Sequence, residues 1–505
     1  MNQISIKTTP NASEVWSGIG GHFDNLGQII NEFIDNSISN FECENNNPIS
    51  RNILISIREK RTTIEVTIED TGSGIKDLNA AFTLGCRSAA ESPLNEHGFG
   101  LKHALASANP DNNCWSIYTR TLDDLNNNVF KKISAPYKFE NFYAETLNSS
   151  EWRGNYNTTG TIINFECSYE MYKTLTKGIK GGLKDIKSIA ALLYENIGFV
   201  YSGIIKSGKA SISLQVINCN GEKKFYPVGA VEPDWIERIK PGEGKTTADL
   251  GDGDIEIEYH FGLIQAKDCN ENYEFDNTKT KKYYRANMSS SGVEIRINGR
   301  VICYNLFSEI WNIEKHNSYN NFLVILNLKS NDLKKLPKTR TSKNGLRDGD
   351  NHLEKLFEWI RGFVSNPPRD AQFSEHETDL FDLLAKRKEK YNPDPNKIIE
   401  TEYYAFSTTG NNKDRIRIDL FENTMGQISI YEGKKDQTTC KDVYQLRMYW
   451  DGLVYDGVKP DKAFLVASKH PQSVITMIQN VNMMKDFNGN NYNIDIKTWE
   501  DLNIM

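Results

Sequence analysis

Residues 31–40 read NEFIDNSISN, and the fold of the first part of the chain turns on them. Apolar residues around this stretch recur at three- and four-residue intervals, which predicts a helix over NLGQIINEFIDNSISNF (25–41). Glu32 and Asn36 are four apart and share one face of that helix. A carboxylate there suits a general base for an attacking water. The amide oxygen suits Mg²⁺, a hard cation that prefers oxygen ligands. The competing reading is an ordinary solvated helix face, because the ExxxN spacing is common.

Moving outward, IEDTGSGI (68–75) places Asp70 at the end of the alternating strand TIEVTIED. A strand-end carboxylate can accept a hydrogen bond from an exocyclic amine such as that of adenine. Gly72 and Gly74 let the backbone turn and approach a ligand. Next comes HGFGLK (97–102), opening LKHALASAN. Glycines at a helix start free N–H groups that can cradle phosphate, helped by the helix dipole. Lys102 can add a point charge. Taken alone, each of these is also a common turn.

In this order, with TTGTIINF (158–165) following, the elements over about residues 10–170 resemble the GHKL ATPase superfamily of gyrase, MutL, histidine kinases and the large heat-shock chaperones. The resemblance implies an α/β sandwich that binds ATP with Mg²⁺. By it, Glu32 is the general base, Asn36 the Mg²⁺ ligand and Asp70 the reader of adenine. Gly72 and Gly74 shape the base pocket, and Gly98, Gly100, Leu101 and Lys102 line the phosphates. Thr161 supports Asp70 or adenine through water. Residues 76–96, with Arg87, Ser88 and the turn SPLNEHG, form a lid. A histidine kinase needs a phospho-acceptor helix just upstream, and His22 stands alone there, so hydrolysis is expected rather than phosphotransfer.

In the middle of the chain, GVEIRINGRVICYN (292–305) and LKKLPKTRTSKNGLR (333–347) resemble the ribosomal S5-like transducer domain of gyrase, MutL and MORC-type ATPases. That domain sends a lysine to the γ-phosphate, with Lys343 the first candidate and Lys338 the second. LLYENIGFVYSG (192–203) looks most like prokaryotic MORC relatives. Lys334, Lys335, Lys338, Arg340, Lys343 and Arg347 form a run without an acidic residue, either a phosphate-binding patch or a solvated loop. With Lys173, Lys177, Lys180, Lys184 and Lys187 it could line a basic channel.

Near the C-terminus, Asp419 lies in RIRIDLF and Glu432 and Lys434 in ISIYEGKK. Residues two apart on a strand share a face. Asp419 joins them if the two strands form a hairpin. Two carboxylates can hold Mg²⁺, and a lysine can position water near a scissile phosphate. Residues 396–505 resemble the PD-(D/E)xK nuclease superfamily, implying a restriction-endonuclease-like α/β domain. By that resemblance, Glu402, or less so Glu400, is the acid of a first helix NKIIETEYYAF (396–406). Asp419 and Glu432 are metal ligands, Lys434 is the catalytic lysine and Gln445 an accessory helix residue. Ile418 stands where the family commonly has proline. The alternative is an α/β domain carrying a surface salt bridge.

The 505 residues carry a net charge of -7, which excludes a histone-like basic protein. Eight cysteines without a CxxC pair support neither a zinc ribbon nor a disulfide framework. No run approaches the roughly 20 apolar residues of a membrane helix. The expectation is therefore an α+β multidomain cytoplasmic protein: ATPase domain 1–175, transducer-like domain 176–365, linker with helix 366–395 and nuclease-like domain 396–505. Its expected function is an ATP-gated, Mg²⁺-dependent DNA endonuclease that dimerises on ATP binding, in bacterial antiphage defence, with a further defence-system protein as a possible partner. The alternatives are a MORC-like ATP-driven DNA clamp without nuclease activity and a chaperone-like ATPase.

Overall fold

The computed structural model describes residues 11–42, 51–86, 98–154, 158–179, 183, 185–236, 242–340, 342–364, 377–391, 394–407, 416–502 and 504. The chain is of the α+β class with several mixed sheets. It divides into two compact units, 1–368 and 369–505.

In the first unit, strands Asn52–Glu59 (β1), Thr63–Asp70 (β2), Trp115–Arg120 (β3), Val129–Ser134 (β4), Glu145–Asn148 (β5), Gly160–Ser168 (β6), Ser211–Ile217 (β7) and Lys223–Pro227 (β8) form one sheet. Their order is β5-β4-β3-β6-β2-β1-β7-β8. Strand β7, beyond residue 175, pairs in parallel with β1. Alternation drives the pairing, because Ile53, Ile55 and Ile57 of β1 and Ile64, Val66 and Ile68 of β2 all point into the core. Helices α1 (Leu26–Glu42) and α2 (Gly100–Ala108) pack on each other and on the sheet. Leu26, Ile29, Ile30, Phe33 and Ile34 of α1 are fully buried. Asn25 caps its start, the side-chain oxygen accepting from the Gln28 N–H at 3.1 Å.

Helix α3 (Ile186–Val200) packs on α1 and on strand Arg300–Leu306. That strand is the edge of a second sheet, ordered Gly242–Asp249, Asp254–Gln265, Phe322–Lys329, Gly292–Ile297, Arg300–Leu306. Asn298 (φ 51°) and Gly299 (φ 94°) supply the two positive-φ positions of the tight hairpin turn that precedes Arg300. Residues 338–347 fold back on themselves, with the Arg347 N–H donating to the Lys338 carbonyl at 2.8 Å. Lys343 sits inside this loop with φ 49°, a conformation costing a non-glycine residue about 1 kcal/mol or more. The basic run is therefore not one exposed patch. Lys343 is buried, Arg340 pairs with Asp348 at 3.0 Å, and Lys338 remains exposed.

The second unit has a five-stranded sheet in the order Ile398–Ala405, Ile416–Thr424, Gln427–Gly433, Lys462–Ala467, Ile494–Thr498. The first two pairings are antiparallel and the last two parallel. Helices α4 (Glu377–Tyr391) and α5 (Cys440–Tyr455) pack on the sheet. The helix expected over NKIIETEYYAF is instead the first strand. Exposed and half-buried positions alternate along it, and β-branched and aromatic residues favour that pleated surface. The helix that precedes this sheet is α4, placed by the sequence reading in a linker. Its Leu380, Phe381 and Leu384 share a core with Leu420, Tyr431, Val466 and Trp499.

Candidate functional site

A cavity of about 350 Å³ lies between α1, the β2 turn and the start of α2. Asn36, Asp70, Gly74, Gly98, Gly100, Leu101, Lys102 and Thr161 all line it. Four short segments spread between residues 36 and 161 thus share one concave site.

Asp70 ends β2 directly opposite Thr161 of β6. One carboxylate oxygen accepts from the Gly72 N–H at 2.9 Å and the Thr161 N–H at 3.3 Å, and the other accepts from the Ser37 hydroxyl at 2.9 Å. Burial pushes its pKa up, and these donors oppose the push. A carboxylate has about four acceptor positions. Three donors leave one for an incoming amine. Asp70→Asn replaces that acceptor geometry with a mixed amide. Nucleotide binding should weaken roughly tenfold to a hundredfold, as for loss of a charged hydrogen bond, and titration with a non-hydrolysable ATP analogue measures it.

Gly72 does not line the cavity but tightens the turn behind it, since a Cβ there would fall 2.2 Å from Asn40 Oδ1. Gly74, at φ 75°, passes so close to the Arg120 carbonyl that a Cβ would lie 2.6 Å from it. Gly98 also has positive φ, 67°. Lys102 points away from the expected phosphate position. Its ammonium donates to the carbonyls of Gly98 at 2.7 Å, Ala81 at 2.9 Å and Thr83 at 3.0 Å. Burial lowers its pKa to about 8, while three carbonyl acceptors favour the charged form, so Lys102 is a cation at neutral pH. It ties the start of α2 to the base of the expected lid. The rest of that lid, with Arg87, Ser88 and most of SPLNEHG, lies outside the described residues.

Glu32 is not among the residues that line the cavity; it packs against Gly100, which does, and is 3% exposed. A Cβ on Gly100 would lie 1.6 Å from its Oε1, so only glycine lets α2 approach the carboxylate. Lys343 Nζ is 3.1 Å from Glu32 Oε2 and 3.5 Å from Asp35 Oδ2. Asp35 also accepts from Arg300 Nε at 2.7 Å and the Tyr201 hydroxyl at 2.9 Å. Burial raises the Glu32 pKa, and Lys343 opposes the rise. Of the two candidate lysines, Lys343 reaches Glu32, whereas exposed Lys338 uses its backbone N–H to bind Asp350. Sequence reasoning missed Ser37, Asn40, Asp35 and Arg300. Asn40 sits four positions beyond Asn36, so helical spacing was a usable signal for it, whereas Ser37, one position beyond, is about 100° round the helix and carried no such signal.

In the second unit, Asp419 and Glu432 stand one residue past the Leu420–Tyr431 pair of a hairpin. Asp419 accepts from the Gly433 N–H at 2.9 Å. Lys434 Nζ lies 2.9 Å from Glu432 Oε1. Glu432 is fully buried, and its Oε2 has no hydrogen-bond partner among the described residues. Burial, followed by the charge of Asp419, lifts its pKa to about 8. Gln445 donates to the Tyr449 hydroxyl at 2.7 Å. Burial and the charges of Glu432 and Asp419 hold that phenol protonated, so Tyr449, unnoticed in the sequence, belongs to the cluster. Glu402 does not serve as the acid of a first helix. It lies on a strand with φ 55°, exposed and ion-paired to Arg417. Glu400 is on the same strand and also exposed.

The Glu432 shift has a testable consequence. An acid whose folded pKa is raised stabilises the fold fully below its ordinary value of 4.5, and the contribution is lost as pH rises to about 8. In Mg²⁺-free buffer, Glu432→Gln should therefore raise the melting temperature of the second unit more at pH 8 than at pH 5. Calorimetry on the full chain reads this.

No described helix is long and apolar enough to cross a membrane. No family model matches the chain. No curated protein matches it. Among solved structures, the chain is similar to the crystal structure of an N-terminal domain of a DNA repair protein, at 14% identity and a TM-score of 0.41. The match covers 70% of this chain and 97% of that one.

Proposed function

We propose that this protein is an ATP-dependent, Mg²⁺-dependent DNA nuclease, with a GHKL-type, MORC-like ATPase in the first unit and a PD-(D/E)xK-type nuclease in the second. The observation that carries the reading is the gathering of Asn36, Asp70, Gly98, Gly100 and Lys102 around one cavity, with Glu32 packed behind Gly100 and paired to Lys343.

Asp70 takes the exocyclic amine of adenine in its remaining acceptor position. The N–H groups at the start of α2 face the phosphates. The side-chain oxygen of Asn36, which lines the cavity, would hold Mg²⁺. In the described arrangement Glu32 is engaged by Lys343. A γ-phosphate offers Lys343 a stronger anion, and its transfer frees Glu32 to take a proton from the attacking water. In the second unit, the unpartnered Glu432 Oε2 and the neighbouring Asp419 fit a cation site made of carboxylate oxygens. When bound there, Mg²⁺ supplies charge at the scissile phosphate and a more acidic water. Lys434 neutralises charge on the phosphate, and Gln445 holds the Tyr449 hydroxyl beside the cluster. Closure of two chains around ATP would bring two nuclease sites to one DNA, and an antiphage role follows by analogy with ATPase–nuclease fusions.

A supercoiled-plasmid assay with Mg²⁺, with and without ATP, tests the reading. Nicking or linearisation that requires ATP supports it. A shift in mobility without a break identifies an ATP-driven clamp instead, and indifference to DNA points to a chaperone-like ATPase. Light scattering with a non-hydrolysable analogue tests dimerisation.

A further inference from the structure

A second cavity of about 340 Å³ lies in the first unit and shares no lining residue with the nucleotide cavity. It sits where α1, α3, strand Arg300–Leu306 and the 338–347 loop meet. Lys177, Lys282, Arg300 and Lys343 line it, and no Asp or Glu is among its lining residues. Asp35 and Glu32 offset Arg300 and Lys343 from behind. Lys282 and Lys177 form no ion pair with any described carboxylate. Lys282 Nζ binds only the Leu175 carbonyl, at 2.9 Å. Four cations converging on a polar cavity attract an anion.

An independent observation points the same way. Asn31 lines this cavity, is 6% exposed, and its Oδ1 has no hydrogen-bond partner among the described residues. Its Nδ2 donates to Asn196 Oδ1 at 3.2 Å, and Asn196 Nδ2 donates to the Tyr283 hydroxyl at 2.9 Å. If both amides turn over together, each bond is kept with donor and acceptor exchanged, because a tyrosine hydroxyl can also donate. The orphan acceptor then becomes an N–H group offered to the cavity. The wall is built to hold. The buried Glu195 carboxylate accepts from the backbone N–H groups of Lys281 and Lys282, each at 2.8 Å, and of Tyr283 at 3.3 Å. This gives Glu195 and Asn196 of the LLYENIGFVYSG segment a task that nucleotide binding leaves unassigned.

We infer that this cavity binds a phosphate-bearing small molecule, up to nucleotide size, and that the bound anion regulates ATP turnover through Lys343. The cavity is as large as the nucleotide cavity, which sets the size class. Lys343 lines it while its Nζ holds Glu32, so a phosphate here competes for that lysine with both Glu32 and the γ-phosphate. Binding stands on the cavity alone, whereas regulation rests on the ATPase reading.

The test is calorimetric titration of the full chain with inorganic phosphate, pyrophosphate and AMP in Mg²⁺-free buffer. Pyrophosphate or AMP should saturate one site that Lys177→Glu and Asn31→Ala each weaken at least about tenfold and Asp70→Asn leaves unchanged. Lys177 is exposed, so its replacement leaves the fold intact. Tighter binding of free phosphate than of AMP assigns the site to the released product, and the reverse assigns it to a phosphorylated metabolite. No saturable binding, or binding lost in Asp70→Asn but kept in Lys177→Glu, overturns the inference. With ATP and Mg²⁺ present, the tighter probe should slow turnover in the wild type and not in Lys177→Glu. If the wild type shows no turnover, the ATPase reading fails while the binding result stands.

Discussion

Glu32→Gln should lower ATP turnover about 10²- to 10⁴-fold, the usual loss for a general base, while ATP still binds. The substitution keeps the volume that packs against Gly100, where there is no room for a larger group. It removes the carboxylate that faces Lys343 at 3.1 Å but leaves Asp35 at 3.5 Å to hold the ammonium. The buried lysine is thus not orphaned, and the fold should survive. The part of the cavity at Asp70 and Thr161, proposed to take adenine, is untouched. Coupled phosphate-release assays and analogue titration separate the two effects. Unchanged turnover removes Glu32 from the base role, and lost binding makes its role structural.

Asp419→Ala and Lys434→Ala should each take Mg²⁺-dependent DNA cleavage below detection while ATP turnover persists. The two changes act differently on Glu432. Asp419 raises the Glu432 pKa and Lys434 lowers it. Losing Asp419 removes one of the two carboxylates and frees the Gly433 N–H. Losing Lys434 leaves Glu432 Oε1, like Oε2, without a partner among the described residues in a fully buried position, so that variant also carries a stability cost of about 1 kcal/mol or more. Asp419→Ala is therefore the cleaner test. Cleavage that survives both substitutions rules out the nuclease assignment.

The cavity between α1, the β2 turn and α2 was legible as a meeting of motifs because those motifs are local. Helical spacing set Glu32 and Asn36, strand alternation set Asp70, and a glycine-bounded helix start set Gly98 and Gly100. The Asn298-Gly299 pair before Arg300 was a hairpin signal that the sequence reading left unused. The ion pair of Arg300 with Asp35 was not legible, because 265 residues separate the partners and no local pattern connects them. Lys102 was read as a phosphate contact from position alone, but three backbone carbonyls claim its ammonium. The strand 398–405 was misread because IIxTxYY places apolar residues at both helical and strand spacings. Pairing with Ile416–Thr424 decides the matter, and with it the place of Glu402. Tyr449 lies four residues past Gln445 on α5, a spacing that could have exposed it.

The most direct measurement is a crystal structure of the full chain with Mg²⁺ and a non-hydrolysable ATP analogue. The proposed site requires the adenine amine on Asp70, the metal on Asn36, the phosphates at the start of α2 and Lys343 moved from Glu32 to the γ-phosphate. An analogue bound elsewhere, or one that leaves the Lys343–Glu32 pair closed and Asp70 uncontacted, would contradict it.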